Sequence, residues 1–571
     1  MTTATDAPRR RLDPALTLIL LGSLVLNTHR IGHPGLHYFD ESFHAVVARN
    51  LLKHPLKPTL IDAPYLAYDA THWGDNHVWL HKPILPLWTI AGSYALLGVN
   101  TTALRLPSAL LGTGAVFLTF LIGRGLFDRR TALIAASLQA INPAITMLVQ
   151  GYLFSDHVDV ALLFWVEVGA YFLLRATRSG AWPDVLAVGV AQGLAYLSKS
   201  YLAALLTGLA ATAWVLPRVG LMDRGESKLK VRHLFGLVGA TLATVAPWTI
   251  YCARSFPVEF AHEHGYVFTH LGSGVENWGG PWDRLAFDYL ITLYRGFYPP
   301  LIAAVVVSVG LAWSGRRLPL WFLLAWGFGV LAPHAVSATK TPSATLIAMP
   351  AAFLLLANLM AEGWRGRPSP LAAWASIMVV GAIWPGPIER FGRGYPDPPA
   401  LGVLMFRSWW VLGHLGLALG LVGLAWRWGQ PSDARTRRVR AVAVASTLVV
   451  GARVALAAWA VTGGSENNPF VAELADRAHD GLPAGAVLLF EGPDRGEHQL
   501  AMFLLDRTCY QLNGRPADEV ARAVREAGGV PFVVTSAPGP WPRRFTSARD
   551  PRGLYEWSAR DVASGPIEVP R

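Results

Sequence analysis

Phe39-Asp40-Glu41-Ser42-Phe43-His44 and, further on, His81-Lys82-Pro83 stand in the polar stretch that follows the first apolar run. Everything downstream alternates apolar runs with short basic loops. The chain has 571 residues, 52% hydrophobic and 15% charged, where soluble domains carry roughly a quarter charged residues. Its mean hydropathy is +0.34. Repeated apolar runs of this kind read as an α-helical polytopic membrane protein. The net charge of +11 does not indicate nucleic acid, because the basic residues cluster in short loops between apolar runs, as the positive-inside pattern requires. Cys252 and Cys509 lie far apart and form no motif, which argues against a disulfide framework or a cysteine metal site. Arg9-Arg10-Arg11 followed by Leu16 to Val25 has the outline of a signal peptide. No small-residue cleavage site follows, so it reads as an uncleaved first span. The 22 tryptophans fit wide interfacial belts.

With those arginines inside, a first span over about 14–28 places a first outer loop, 30–104, on the other side. Residues 41–53 in that loop have the pattern of an amphipathic helix lying on the membrane surface. Residues 83–98 are apolar but short and carry two prolines, where a span needs about 20 residues. If they crossed, Arg124 to Arg130 would fall outside, against the charge bias, so they read as a juxtamembrane or re-entrant helix. Spans then follow at about 105–123, 131–149, 158–174, 184–198, 200–217, 234–252, 297–313, 318–334, 344–360, 371–386, 409–426 and 441–461. A second outer loop covers 253–295. One orientation with thirteen spans satisfies the basic loops. Arg453, within the last span, reads as snorkelling or paired inside the bundle. The remainder, 463–571, changes character: 486–491 and 530–535 read as buried strands and 517–527 as an amphipathic helix. That is a small α/β domain on the outer face, without a GxGxxG or Walker pattern.

Asp40 and Glu41 are flanked by Tyr38, Phe39 and Phe43. Adjacent acids in a loop are usually solvated, but aromatic flanks can bury a carboxylate and tune it, and at the lipid interface it can serve as a general base. Lys82 is a point-charge partner for a lipid phosphate, although a lysine there is commonly an anchor. Asp159 enters a span, which makes it a functional candidate. Asp156, His157 and Asp159 are candidate ligands for Mg or Mn. His81 with His72, Asp75 and His77, and His262-Glu263-His264, form polar clusters without the HExxH spacing. Arg254, Arg295 and Lys340 are outer cations that can join Lys82 around a phosphate.

At this point the motifs resemble those of the GT-C superfamily, specifically the protein O-mannosyltransferase and lipid A aminoarabinose transferase group. Asp40-Glu41 resembles its Asp-Glu signature and Lys82-Pro83 its Lys-Pro-Pro. Leu104-Arg-Leu-Pro-Ser-Ala-Leu-Leu-Gly112, Leu121-Ile-Gly-Arg-Gly-Leu-Phe127 and Gly193-Leu-Ala-Tyr-Leu-Ser-Lys199 are similar to successive family segments. Asp159 falls where the family has an aspartate. Pro247-Trp248, Glu263-His264, Gly280-Pro-Trp282 and Thr339-Lys-Thr-Pro342 recur in order. The resemblance covers about residues 35–360 and leaves out the C-terminal domain. His81 stands where the family often has an acid, and Asp-His-Val-Asp replaces Thr-Asp-Met-Pro.

What the resemblance implies is a GT-C-like bundle of about thirteen spans with juxtamembrane helices in the first outer loop, residues 1–462. It would be a multi-pass protein of a bacterial inner or plasma membrane, with the site and the C-terminal domain outside. The expected activity is inverting transfer of a sugar from a polyprenyl-phosphate donor to a lipid, glycan or protein acceptor. Asp40 would be the general base, with Glu41 supporting it. Lys82, Arg254 and Lys340 would hold the phosphate, and Asp159, Asp156, His81, Glu263 and His264 would shape the pocket. No cofactor is required, with a divalent cation as the variant reading. A metal-dependent oligosaccharide transferase is the rival within the superfamily. A transporter is the rival outside it, although no internal repeat is visible and the acids sit in outer loops.

Overall fold

The computed structural model describes residues 13–37, 40–151, 156–221, 223, 225–273, 298–315, 318–337, 339, 342–383, 433–460, 469–478, 481–492, 496–536, 541–547 and 550–558. The first helix, α1 (Pro14–Thr28), starts on the Asp13 side chain with proline in its first turn, the place where a missing N–H costs nothing. Then come α2 (Asp40–Asn50), α3 (Ile84–Leu97) and α4 (Thr101–Leu126). Asn100 caps α4 by accepting from the Ala103 amide at 2.9 Å.

The expected third span is broken. α5 (Arg129–Ala140) and α6 (Pro143–Val149) meet at a 50° bend. Pro143 cannot continue the hydrogen-bond ladder of α5, and Asn142 restarts it by accepting from Ala144 N at 3.0 Å. The bundle continues with α7 (Asp156–Ser179), α8 (Trp182–Lys199), α9 (Leu205–Val215), α10 (Val231–Ser255) and α11 (Pro257–Gly272). It is completed by α12 (Tyr298–Gly315), α13 (Leu318–Val336), α14 (Met349–Trp364), α15 (Pro368–Ile383) and α16 (Asp433–Trp459). Among the described residues five helices are long and apolar enough to cross a membrane, or up to six if the bent pair is one span. Shorter apolar helices, α1 and α3 among them, accompany them. The expected span at 409–426 lies outside the described residues.

Small residues set the closest approaches. On α8, Gly189 and Gly193 are one turn apart, and a Cβ on Gly193 would meet the Thr244 Cβ of α10 at 2.5 Å. Such faces let backbones approach where lipid supplies no hydrophobic drive. Arg453 of α16 donates to the Ala382 carbonyl at 2.9 Å, so it is used within the bundle.

The C-terminal domain has α17 (Pro469–Ala478), β1 (Ala486–Phe490), α18 (Glu497–Leu505), β2 (Thr508–Gln511), α19 (Ala517–Glu526), β3 (Val530–Thr535), β4 (Arg543–Thr546) and β5 (Gly553–Glu556). The sheet order is β2-β1-β3-β5-β4. β1 is parallel to β2 and β3, and β5 is antiparallel to β3 and β4. β1 is buried along its whole length, as a central parallel strand requires. One hydrophobic core joins this domain to the segment between α1 and α4, with Phe43, Trp79 and Leu87 in the same cluster as Phe470, Leu488 and Val533.

That shared core corrects one expectation. α2 is a helix, but it does not lie half exposed on a membrane surface. Every one of its residues except Arg49 is buried. The bundle covers one side and α18 packs against another.

Candidate active site

The site is built from the beginnings of α2, α3, α4 and α7 and the end of α8. The Glu41 side chain, at the start of α2, meets Arg105, one turn into the apolar helix α4. Arg105 Nε donates to Glu41 Oε1 at 2.6 Å and Nη2 to Oε2 at 2.9 Å. Both side chains are buried, at 1% and 0% exposure. The guanidinium also donates to the carbonyls of Ile31, His33 and Gly35, and the His37 amide donates to Glu41 Oε2 at 2.7 Å. Satisfying a buried ion pair on nearly all its positions in this way is what makes burial tolerable. The pair thus ties residues 31–37 to α4. Gly151 packs on the Glu41 carboxylate, and any Cβ there would collide with it; its φ of +68° also disfavours a side chain.

Asp40 points elsewhere. Its carboxylate is 3.1 Å from Lys82 Nζ, and the residue is 4% exposed. Lys82 keeps 17% of its side chain accessible. Beside it, His81 Nδ1 donates to Glu263 Oε2 of α11 at 3.1 Å. Burial pushes the Glu263 carboxyl up, but the hydrogen bond from His81 and the charges of His81, His262 and Lys82 outweigh it, and the carboxyl titrates below the ordinary glutamate range. Deeper in, Lys199 at the end of α8 donates to Asp159 of α7 at 2.5 Å, and Asp159 is fully buried. His157 shares a 2.7 Å hydrogen bond with Ser108 of α4 and lies 3.8 Å from Glu41 Oε1. Four acid–base pairs, Glu41–Arg105, Asp40–Lys82, Glu263–His81 and Asp159–Lys199, therefore sit at this mouth of the bundle.

The sequence candidates divide accordingly. Asp40, Glu41, His81, Lys82, Asp159 and Glu263 enter these pairs. His264 is exposed and lies tilted against Phe260, with ring centroids 4.0 Å apart. Arg254 is exposed in the last turn of α10 and forms no ion pair with a described residue. Asp156 opens α7, but its side chain and Lys340 lie outside the described residues. Of the expected metal set, His157 and Asp159 do not converge: His157 turns to Ser108 and Asp159 to Lys199, on different helices. Among the described residues no three His, Cys, Asp or Glu side chains converge as a metal site. Sequence reasoning misses Arg105 and Lys199 as site residues, although both lie within motif segments. Their signal was an arginine and a lysine at the ends of apolar helices, which demand buried partners.

Residues 81–251 match the family model described as dolichyl-phosphate-mannose-protein mannosyltransferase. The chain is 26% identical over 385 residues to undecaprenyl phosphate-alpha-4-amino-4-deoxy-L-arabinose arabinosyl transferase 1 of Pseudomonas fluorescens, covering 63% of this chain and 66% of that protein. The matched stretch thus spans just under two-thirds of that relative. The fold is similar to the crystal structure of ArnT from Cupriavidus metallidurans bound to undecaprenyl phosphate, with a TM-score of 0.61 and 17% identity, covering 97% of this chain and 98% of that one. It is also similar to the Archaeoglobus fulgidus oligosaccharyltransferase, with a TM-score of 0.54 and 13% identity, covering 91% and 69%. The family match over residues 81–251, the sequence relatives and the likeness of fold together support a multi-pass membrane glycosyltransferase of GT-C type.

Proposed function

We propose that the chain transfers one sugar from a polyprenyl-phosphate carrier to a lipid, glycan or protein acceptor, with inversion, at the outer face of a bacterial inner or plasma membrane. The observation that carries this reading is the buried Asp40 carboxylate set against Lys82 at 3.1 Å. The relatives named for undecaprenyl phosphate and aminoarabinose support a polyprenyl-phosphate donor and make a pentose the first sugar to test. The thirteen-span topology remains the reading of the basic loops, with Asp40 and the C-terminal domain outside.

In this reaction the acceptor oxygen attacks the anomeric carbon as Asp40 takes its proton. The bond from that carbon to the phosphate oxygen breaks, and the polyprenyl phosphate leaves with the electron pair. Attack opposite the leaving group inverts the centre. Lys82 serves twice: it pairs with the Asp40 carboxylate before the donor arrives, then meets the charge developing on the phosphate. Arg254 and Lys340 are the further cations proposed for that phosphate. Glu41 positions Asp40 through Arg105. His81, Glu263 and Asp159, with Asp156 and His264, complete the pocket. No step is routed through a metal, since His157 and Asp159 turn to different helices.

The test is incubation of purified protein with a panel of radiolabelled polyprenyl-phosphate sugars and a membrane and envelope-protein acceptor mix. Transfer of label from one carrier, with release of polyprenyl phosphate, is the expected result. Failure both to transfer from and to bind any carrier would contradict the proposal.

A further inference from the structure

A groove of about 310 Å³ opens at the other end of the bundle, between α5, α14, α15 and α16. α4 separates it from the Asp40 site: Arg105 is near one end of that helix and Arg129-Arg130 follow its other end at Leu126, which lies roughly 32 Å from Arg105 at 1.5 Å per residue. Ile134, Met360, Val444 and Leu448 line the groove. Its polar side chains Trp374 and Thr447 are spent on each other, Trp374 Nε1 donating to Thr447 Oγ1 at 2.9 Å, while Thr447 donates to the Ala443 carbonyl at 2.7 Å. The interior thus offers an occupant only apolar contact. Leu448 is 68% exposed.

The mouth is different. Arg130 and Arg440 both stand over the Trp364 ring, with Cζ 5.7 Å and 5.6 Å from its centroid. Neither forms an ion pair with a described residue. The acids near them are taken: Glu362 by Arg365 and Arg367, and Asp128 by Arg365. Arg440 passes over Gly366, where a Cβ would be 3.3 Å from its Nη2. Its Nε is buried with no hydrogen-bond partner among the described residues. Two cations on one ring, with no acid paired to either among the described residues, leave a place for an anion at the rim of an apolar slot.

We infer that this groove binds an anionic phospholipid, with its phosphate between Arg130 and Arg440 and one acyl chain along Val444 and Leu448. Basic pockets between spans on the side of the basic loops are suited to anionic headgroups, and the tryptophan marks the interface depth. This concerns the end of the bundle away from Asp40 and does not depend on sugar transfer.

The test uses the full chain, delipidated in detergent and titrated with palmitoyl-oleoyl phosphatidylglycerol or with phosphatidylethanolamine of the same chains, read by native mass spectrometry. Wild type should retain phosphatidylglycerol selectively, and millimolar inorganic phosphate should not displace it. The double variant Arg130→Gln with Arg440→Gln should bind it about thirtyfold more weakly. Val444→Trp, which fills the groove and keeps both arginines, should lose it as well. Each variant is compared at equal monodispersity and thermal stability. Equal retention of the two lipids, undiminished binding by either variant, or a groove that takes no added lipid would overturn the inference.

Discussion

Asp40 and Glu41 are neighbours in sequence with opposite surroundings. Glu41 is enclosed by Arg105, the His37 amide and Gly151, while Asp40 faces the partly open Lys82. Removing one partner of a buried pair strands a charge, at a cost of about 3–5 kcal/mol. Arg105→Met should therefore lower thermal stability by that amount, and Gly151→Ala should act in the same direction by displacing the Glu41 carboxylate; both are read by thermal unfolding in detergent. A loss below ~1 kcal/mol for Arg105→Met would remove the positioning role. Glu263 gives a pH test. Its folded carboxyl titrates below its ordinary value, so its stabilising contact is present above the usual glutamate range of about 4.3 and is lost only as pH falls through the lower folded value. A spin label on Val258→Cys, an exposed position of α11, should report an unchanged helix from pH 7 to about 5 and increased mobility only below the free-glutamate range. Mobility rising between pH 7 and 6 would contradict it. At this scale Asp40 and Lys82 were legible because acid and cation stand out in a polar stretch between apolar runs. Gly151 was not, because its reason is a side chain folded back from far along the chain.

Between elements, Arg49 joins two helices. It leaves α2 and donates to the Met502 carbonyl at 3.0 Å and the Phe503 carbonyl at 3.3 Å, at the end of α18, and pairs with Asp506 at 3.1 Å. A cation on the last carbonyls of a helix is favourable for both charge and hydrogen bonding. Because α2 begins at Asp40, this latch fixes the site helix from its far end. Arg49→Met should cost roughly 1.5–3 kcal/mol and lower the transfer rate more than donor affinity, measured as a kcat loss with KM for the donor little changed. A donor KM effect alone would count against the latch. The helix at 41–53 was readable from its pattern, but its partner was not: amphipathic spacing reports that a face is covered, not which distant element covers it. The same limit applies to the expected span at 131–149. Its apolar length was plain, and the bend at Asn142-Pro143 follows from a proline that the composition of the run conceals.

For the whole molecule, the basic loops marked the ends of most described helices within a few residues, because each apolar run must stop where water begins. The sheet was only partly legible: β1 and β3 are apolar runs, whereas β4 and β5 are short, and β4 is largely exposed, so period and burial say little there. The C-terminal domain also shares its core with the segment between α1 and α4, and Asp75 of that loop pairs with Arg515 at 2.9 Å. Deleting residues 463–571 should therefore uncover that core and yield aggregated protein on size-exclusion chromatography; a monodisperse, active truncation would show that the loop stands alone. The most direct measurement of the central claim separates chemistry from binding at the Asp40–Lys82 pair. Transfer of a radiolabelled sugar and equilibrium binding of its polyprenyl-phosphate donor are measured on wild type, Asp40→Asn and Lys82→Ala. The expected result is transfer abolished and donor binding largely kept in Asp40→Asn, with donor binding weakened in Lys82→Ala. Wild-type transfer by Asp40→Asn would contradict the assignment of Asp40 as the base.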